Sequence, residues 1–258
     1  MYDIAKRTAL GAGILLFLPI AVWLSGWQWQ PGAEGIWLHG LFWVTETVTR
    51  PWGVLTSVLL AIWFLWCLRF RLKPALGVLA IMAITVLMGQ GMKSLIKERL
   101  QEPRPFVVWL EKEYQVDERY FYSLPRTERA SLVAEQLSTQ QQIPEWLRAH
   151  WQFETGFAFP SGHTMFAATW ALLAIGLLWT RRHYKTVVIL MVWASGVMAS
   201  RLVLGMHWPQ DLIAATLISW ALVVLACTLA QRWCGPLTPL PQETQHDDKG
   251  TKDKEQPS

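Results

Sequence analysis

The sequence predicts an all-α, polytopic membrane protein with six transmembrane helices and a cap of short helices on one side of the membrane. Three observations carry this prediction. Hydrophobic residues make up 52% of the 258 residues and charged residues 16%, with a mean hydropathy of +0.23; that balance alone fits either a large apolar soluble domain or a membrane domain. The placement of the charges decides. The runs 8–33, 51–68, 74–92, 155–180, 186–200 and 212–231 contain no Lys, Arg, Asp or Glu, and a spanning helix needs roughly 20 mostly apolar residues. Finally, the basic residues of the short connections fall on alternate turns of such a six-span chain, as the positive-inside rule expects of cytoplasmic loops.

The first run follows Lys6-Arg7, as in a signal peptide. Its 26 uncharged residues are too many for an h-region, and no small-x-small cleavage site follows, so a retained anchor is expected. Lys6 and Arg7, then Arg69, Arg71 and Lys73, then Arg181, Arg182 and Lys185 mark one side as cytoplasmic, with both chain ends on that side. The connection 27–52 carries Arg50 as its only basic residue. Cys67, Cys227 and Cys234 fall toward the cytoplasmic ends of their spans, so no disulfide framework is expected. Trp27, Trp29, Trp52, Trp66, Trp179, Trp208 and Trp233 stand where spans should meet the headgroups and read as an aromatic belt.

Between the first and second spans, residues 35–48 are apolar but short, which suits an interfacial or re-entrant segment with a structural His39. The third span should continue as a helix through Glu102, putting Lys93 and Lys97 four apart on one face. Snorkelling at the headgroups is the alternative role for both lysines. The cap, about residues 98–158, is expected to hold short helices after Pro105, over residues 127–142 and from Pro144. Leu132, Leu137, Trp146, Leu147 and Trp151 should rest their apolar faces on the lipid surface. Glu154 is either a lid contact or a solvated charge. Residues 1–234 form the integral-membrane domain, and 235–258, rich in Pro, Gln, Asp, Lys and Thr, should be a disordered cytoplasmic tail.

If both apolar runs between Gly156 and Asp211 cross the membrane, the two ends of that stretch return to the same outer face. At one end stands Pro160-Ser161-Gly162-His163. A helix starting there presents unpaired N–H groups and a positive dipole end to an anion, Gly162 lets the anion come close, and His163 on the first turn can donate a proton. Simple capping by Ser161 beside a packing histidine is the bland alternative. At the other end stand Ser200-Arg201 and His207 to Asp211. A carboxylate beside a histidine fixes the ring tautomer and leaves the other nitrogen outward as nucleophile or base; a purely structural His–Asp pair is the alternative. Arg201 offers a guanidinium fork to phosphate. Arg104-Pro105 follows Lys97 by seven residues, and the turn at Pro can bring that guanidinium back toward the lysine. No cluster of carboxylates fit to hold two metal ions appears, so no metal or other cofactor is expected.

Lys97 with Arg104-Pro105, Pro160 to His163, and Ser200-Arg201 with His207 and Asp211 resemble, in order, the three signature motifs of the type 2 phosphatidic acid phosphatase family, at eleven positions. The resemblance implies an integral-membrane phosphatase of the bacterial inner membrane, its active site facing the periplasm beneath a periplasmic cap. It implies catalysis without metal through a phosphohistidine: His207 as nucleophile, Asp211 orienting it, and His163 as acid and then base. Lys97, Arg104, Ser161, Gly162 and Arg201 would bind the phosphoryl group, with Lys93 and Glu154 as possible additions. The implied substrates are membrane lipid phosphates, namely phosphatidylglycerol phosphate, phosphatidic acid, lysophosphatidic acid and undecaprenyl diphosphate. The bilayer is the other expected partner, with no nucleic acid and no obligatory protein. Two other classes fit a span-end histidine. A transporter predicts binding without turnover and an internal repeat, which the sequence lacks, and a bis-histidine haem protein predicts a coloured preparation.

Overall fold

The computed structural model describes residues 2–32, 35–138, 140, 142–235 and 237, and among these the secondary structure is helical, without strands. Eleven α-helices follow in order: α1 Tyr2–Leu24, α2 Ile36–Glu46, α3 Trp52–Leu68, α4 Leu72–Leu100, α5 Pro105–Tyr114, α6 Glu118–Ser123, α7 Arg126–Gln136, α8 Glu145–Phe153, α9 Gly162–Leu178, α10 Tyr184–Val203 and α11 Pro209–Trp233. The expected tail lies outside the described residues, apart from Gly235 and Leu237.

Helix α9 is the axis of the bundle. Every residue from Thr164 to Leu178 is buried, surrounded by α1, α3, α4, α10 and α11. A helix apolar on all sides suits such a position. In a membrane its neighbours gain from close packing rather than from escaping water, which favours small residues at the contacts. Gly11 of α1 lies against Ile175, Gly176 of α9 against Cys227 of α11, and Gly89 of α4 against Met165, each where a Cβ would meet that side chain. Leu10, Phe17, Leu59, Leu87, Ile189 and Leu225 project outward, as expected of a lipid-facing surface.

Five helical regions are long and apolar enough to cross a membrane: Tyr2–Leu24, Leu72–Tyr114, Gly162–Arg181, Tyr184–Val203 and Pro209–Trp233. In the second of these a left-handed Gln101 separates α4 from α5. The remaining expected span, α3, has only 17 residues. It nevertheless runs the depth of the bundle beside α9, which has the same length. Its start adjoins Thr49, whose hydroxyl meets His163, and its end brings the Cys67 carbonyl to the His183 ring at the α9–α10 connection. Cys67, Cys227 and Cys234 are free.

The cap has its own core. Phe106, Leu110, Phe121, Val133, Leu137, Leu147 and Trp151 close on one another and on Leu38, Leu204 and Met206. Phe106 stacks on Trp151 with ring centroids 5.1 Å apart, and Trp29 meets Trp151 edge-on at 5.7 Å. Burying side chains of this size stabilises by roughly 1.5–3 kcal/mol each. Leu137, Leu147 and Trp151 therefore do not rest on lipid; they are buried, and Leu132 and Trp146 pack against the same cluster. Helix α6 was not expected, although its signal was present: the Asp117 carboxylate caps it, accepting from Tyr120 N–H at 2.7 Å. The aromatic belt is also reduced. Trp29 Nε1 donates to the Val203 carbonyl and Trp208 Nε1 to Pro103, so these two tie the cap to the bundle.

Candidate active site

Four helix ends meet beneath the cap: the C-termini of α4 and α10 and the N-termini of α9 and α11. Ser161 caps α9, its Oγ accepting from Thr164 N–H at 3.3 Å, and its own N–H donates to the Asp211 carbonyl, which joins the starts of α9 and α11. The first N–H groups of α9 have no helical acceptor and point their dipole end into this space. Gly162 does something the sequence did not indicate. A Cβ there would lie 2.6 Å from Cδ of Lys93, so the missing side chain admits the lysine stem as well as any anion.

His207 is placed by a turn. Gly205, with φ +69°, reverses the chain after α10, and the Arg201 carbonyl accepts the N–H groups of both Met206 and His207. A side chain at Gly205 would be strained and would meet Trp29. Pro209 opens α11, and Asp211 then stands one turn from the histidine. Asp211 Oδ2 accepts from His207 Nδ1 at 3.0 Å and from Trp208 N–H at 2.9 Å. The proton on Nδ1 is thereby fixed and the Nε2 lone pair is left for chemistry. Burial, with Arg104, Lys97 and Arg201 nearby, holds this imidazole well below its usual pKa, so it is neutral at pH 7. A cleft of about 280 Å³ lined by Trp23, Trp27, Trp29 and Trp208 reaches His207 from the side of α1.

The cations are ordered by the segment 154–158. Arg104 Nε donates to the Gly156 carbonyl at 2.6 Å, and Lys97 Nζ to the carbonyls of Phe157 and Ala158, the latter at 3.0 Å. Glu154, at the end of the cap helix α8, is a contact from the cap to the site and not a solvated charge. Its Oε2 accepts from Arg201 Nη2 at 2.8 Å and from Arg104 Nη1 at 3.1 Å, while Oε1 lies 3.2 Å from His163 Nε2. Burial opposes its charge, yet Arg201, His163 and Arg104 outweigh that and hold the carboxyl well below the usual range. Arg201 is completely buried. Removing one partner from such a pair costs about 3–5 kcal/mol because the other charge is stranded.

All ten residues singled out from the sequence come to this place. Arg104, Arg201 and His163 meet on Glu154, Ser161 and His207 meet on Asp211, Lys97 is held by the carbonyls of Phe157 and Ala158, and Lys93, a turn before Lys97, is bonded at 2.9 Å to Oε1 of Gln90, whose amide donates to the Gly162 carbonyl. Four further residues belong to this site. Thr49 Oγ1 is 3.0 Å from His163 Nε2, and Arg201 Nη1 donates to Thr45 Oγ1 and to His150 Nε2, both at 3.1 Å. Because His150 Nε2 accepts, its proton is on Nδ1, which faces Glu46 at 3.4 Å. A signal existed for some of these: Thr45 and Thr49, like His150 and Glu154, are four residues apart. His39 stays outside the network, stacked on Phe42 and Trp146, in keeping with a structural role.

A buried imidazole oriented by a carboxylate, facing lysine and arginine at the end of a membrane bundle, defines a membrane-embedded phosphatase. The chain belongs to the PAP2 superfamily, whose family model matches residues 74–233. It is 63% identical over 243 residues to phosphatidylglycerophosphatase B of Escherichia coli K12, covering 94% of this chain and 96% of that protein. It is 37% identical over 224 residues to the protein of the same name from Haemophilus influenzae, covering 83% and 91% respectively. The transporter and haem readings fall with this finding.

Proposed function

We propose that the chain hydrolyses the terminal phosphate of phosphatidylglycerol phosphate, with phosphatidic acid, lysophosphatidic acid and undecaprenyl diphosphate as further substrates, through a phosphohistidine and without metal. The observation that carries this is the His207–Asp211 pair: one ring nitrogen is bound to carboxylate, the other is free, and lysine and arginine lie within electrostatic reach. The relatives' name supplies the lipid. Nε2 of His207 attacks phosphorus as the P–O bond to the lipid breaks, and the departing oxygen takes a proton from His163. Water then attacks the phosphohistidine, giving its proton to His163 and returning His207 and inorganic phosphate. Lys97, Arg104, Arg201, Ser161 and the amides of Gly162 and His163 hold the phosphoryl oxygens as charge moves in the transition state. Glu154 keeps both guanidinium groups and His163 aimed at one point.

The test is phosphate release from phosphatidylglycerol phosphate in detergent with excess EDTA. Full activity under EDTA and inhibition by vanadate, which mimics five-coordinate phosphorus, are expected; activity lost on chelation and restored by magnesium overturns the metal-free reading.

The same proposal includes six crossings of the bacterial inner membrane, with the site facing the periplasm. It is supported by the basic residues Arg69, Arg71, Lys73, Arg181, Arg182 and Lys185, which cluster at the end of the bundle away from the site, where Cys67 meets His183. Single cysteines at Glu113 and Tyr184, in a chain lacking the native three, should react with an impermeant reagent from the outside and the inside respectively. The reverse pattern inverts the topology.

A further inference from the structure

Three cations stand at the rim of this site and, among the described residues, make no ion pair. Arg126 opens α7, and its Nη2 lies 3.3 Å from where a Cβ on Gly156 would be; the Gly156 carbonyl is the acceptor of Arg104. Lys93 lies along Gly162, and among the described residues its only hydrogen bond is to a neutral amide, that of Gln90. Arg50 follows Thr49, the hydroxyl that touches His163. Each is thus one step from a residue that lines the phosphoryl pocket.

The contrast with the inner cations is chemical. Arg104 and Arg201 share the Glu154 carboxylate, and Lys97 is held by two carbonyls. Among the described residues, Arg50 and Arg126 make no hydrogen bond or ion pair, and both are exposed. Two exposed guanidinium groups without a partner, beside a lysine bonded only to a neutral amide, raise the local positive potential and favour whatever anion reaches them.

We propose that Lys93, Arg126 and Arg50 form a second anion subsite, which takes the inner phosphate of a lipid substrate that carries two. The inference rests on the function proposed above and names a class within it. Phosphatidylglycerol phosphate has a phosphodiester one glycerol away from the phosphate that is cleaved, and a lipid diphosphate has an inner phosphate bonded directly to it. Phosphatidic acid and lysophosphatidic acid have none. The rim contact is made to the part of the substrate that does not react, so its binding energy favours two-phosphate lipids over one-phosphate lipids.

The experiment compares kcat/KM for phosphatidylglycerol phosphate and for phosphatidic acid, in mixed micelles, in the wild-type chain and in Arg126→Ala, Arg50→Ala and the double variant. Each single change is expected to lower the value for phosphatidylglycerol phosphate about tenfold, the loss of one charge-assisted phosphate contact, and the double variant further. Phosphatidic acid should stay within about twofold, which also reports that the variants fold. Equal losses on both substrates would mean that the arginines serve the bilayer surface or the fold, and no loss on either would mean that they touch no substrate; both results overturn the subsite. A wild-type chain that hydrolyses phosphatidic acid but not phosphatidylglycerol phosphate overturns it too. Failure of the wild type on every lipid phosphate overturns the proposed function instead.

Discussion

Replacing His207 by Ala is expected to reduce phosphate release from lipid phosphate by at least about 10⁴-fold, with no phosphoenzyme detectable. The size follows from what is lost. In the proposed mechanism the surrounding cations would still bind and polarise the phosphoryl group, but the first step would have no nucleophile, and removal of a nucleophile from a site that works as a unit costs far more than removal of a single contact. Water does not readily replace it, because the ring is 2% exposed and packed among the ends of four helices. Stability should change much less. Among the described residues the ring makes one side-chain hydrogen bond, to Asp211, and deleting a buried group of this kind typically costs about 1–3 kcal/mol. The variant should therefore elute as a folded protein in detergent and still bind vanadate weakly. Residual turnover above about 1% of wild type in a folded preparation would show that another group attacks phosphorus.

The sequence reveals most where a physical requirement leaves a one-dimensional trace. Charge-free runs mark the apolar helices because a charge in hydrocarbon is costly, and Lys97, Arg104, His163, Arg201, His207 and Asp211 are recognisable because each lies at a helix end. Helix α3 is the weak point of that reading: it has only 17 residues, and what places it is its contact with Thr49 at one end and His183 at the other. Partners distant in sequence leave no such trace. The bond from Arg201 to Thr45 joins residues 156 positions apart, and that to His150 joins residues 51 apart. Glu154 looks like any polar loop residue until α8 carries it between two arginines. The apolar residues of the cap mislead for a related reason. An amphipathic helix announces one apolar face without saying whether lipid or protein covers it, and here Phe106, Phe121 and Trp151 supply the protein.

The two histidines should separate by the step each serves, and the leaving group is what separates them. In His163→Ala the proposed nucleophile remains: His207 keeps its bond to Asp211, and Arg104 and Arg201 keep Glu154. What is lost is the proton for the departing oxygen. With a lipid alkoxide, a strongly basic leaving group, that loss should cost about 10²–10⁴-fold, the usual range for general acid catalysis. With an aryl phosphate able to reach the site, the leaving oxygen departs with little help, and phosphorylation of His207 should be almost restored. Hydrolysis of the intermediate should stay slow, since in the proposed mechanism His163 also activates the water. The His163→Ala protein given an aryl phosphate should therefore show a burst of phenol followed by slow turnover, and should carry acid-labile phosphate. The mechanism predicts that this label vanishes when His207 is also replaced. Label that persists without His207 assigns the nucleophile elsewhere, and equal losses on aryl and lipid substrates remove the acid role from His163.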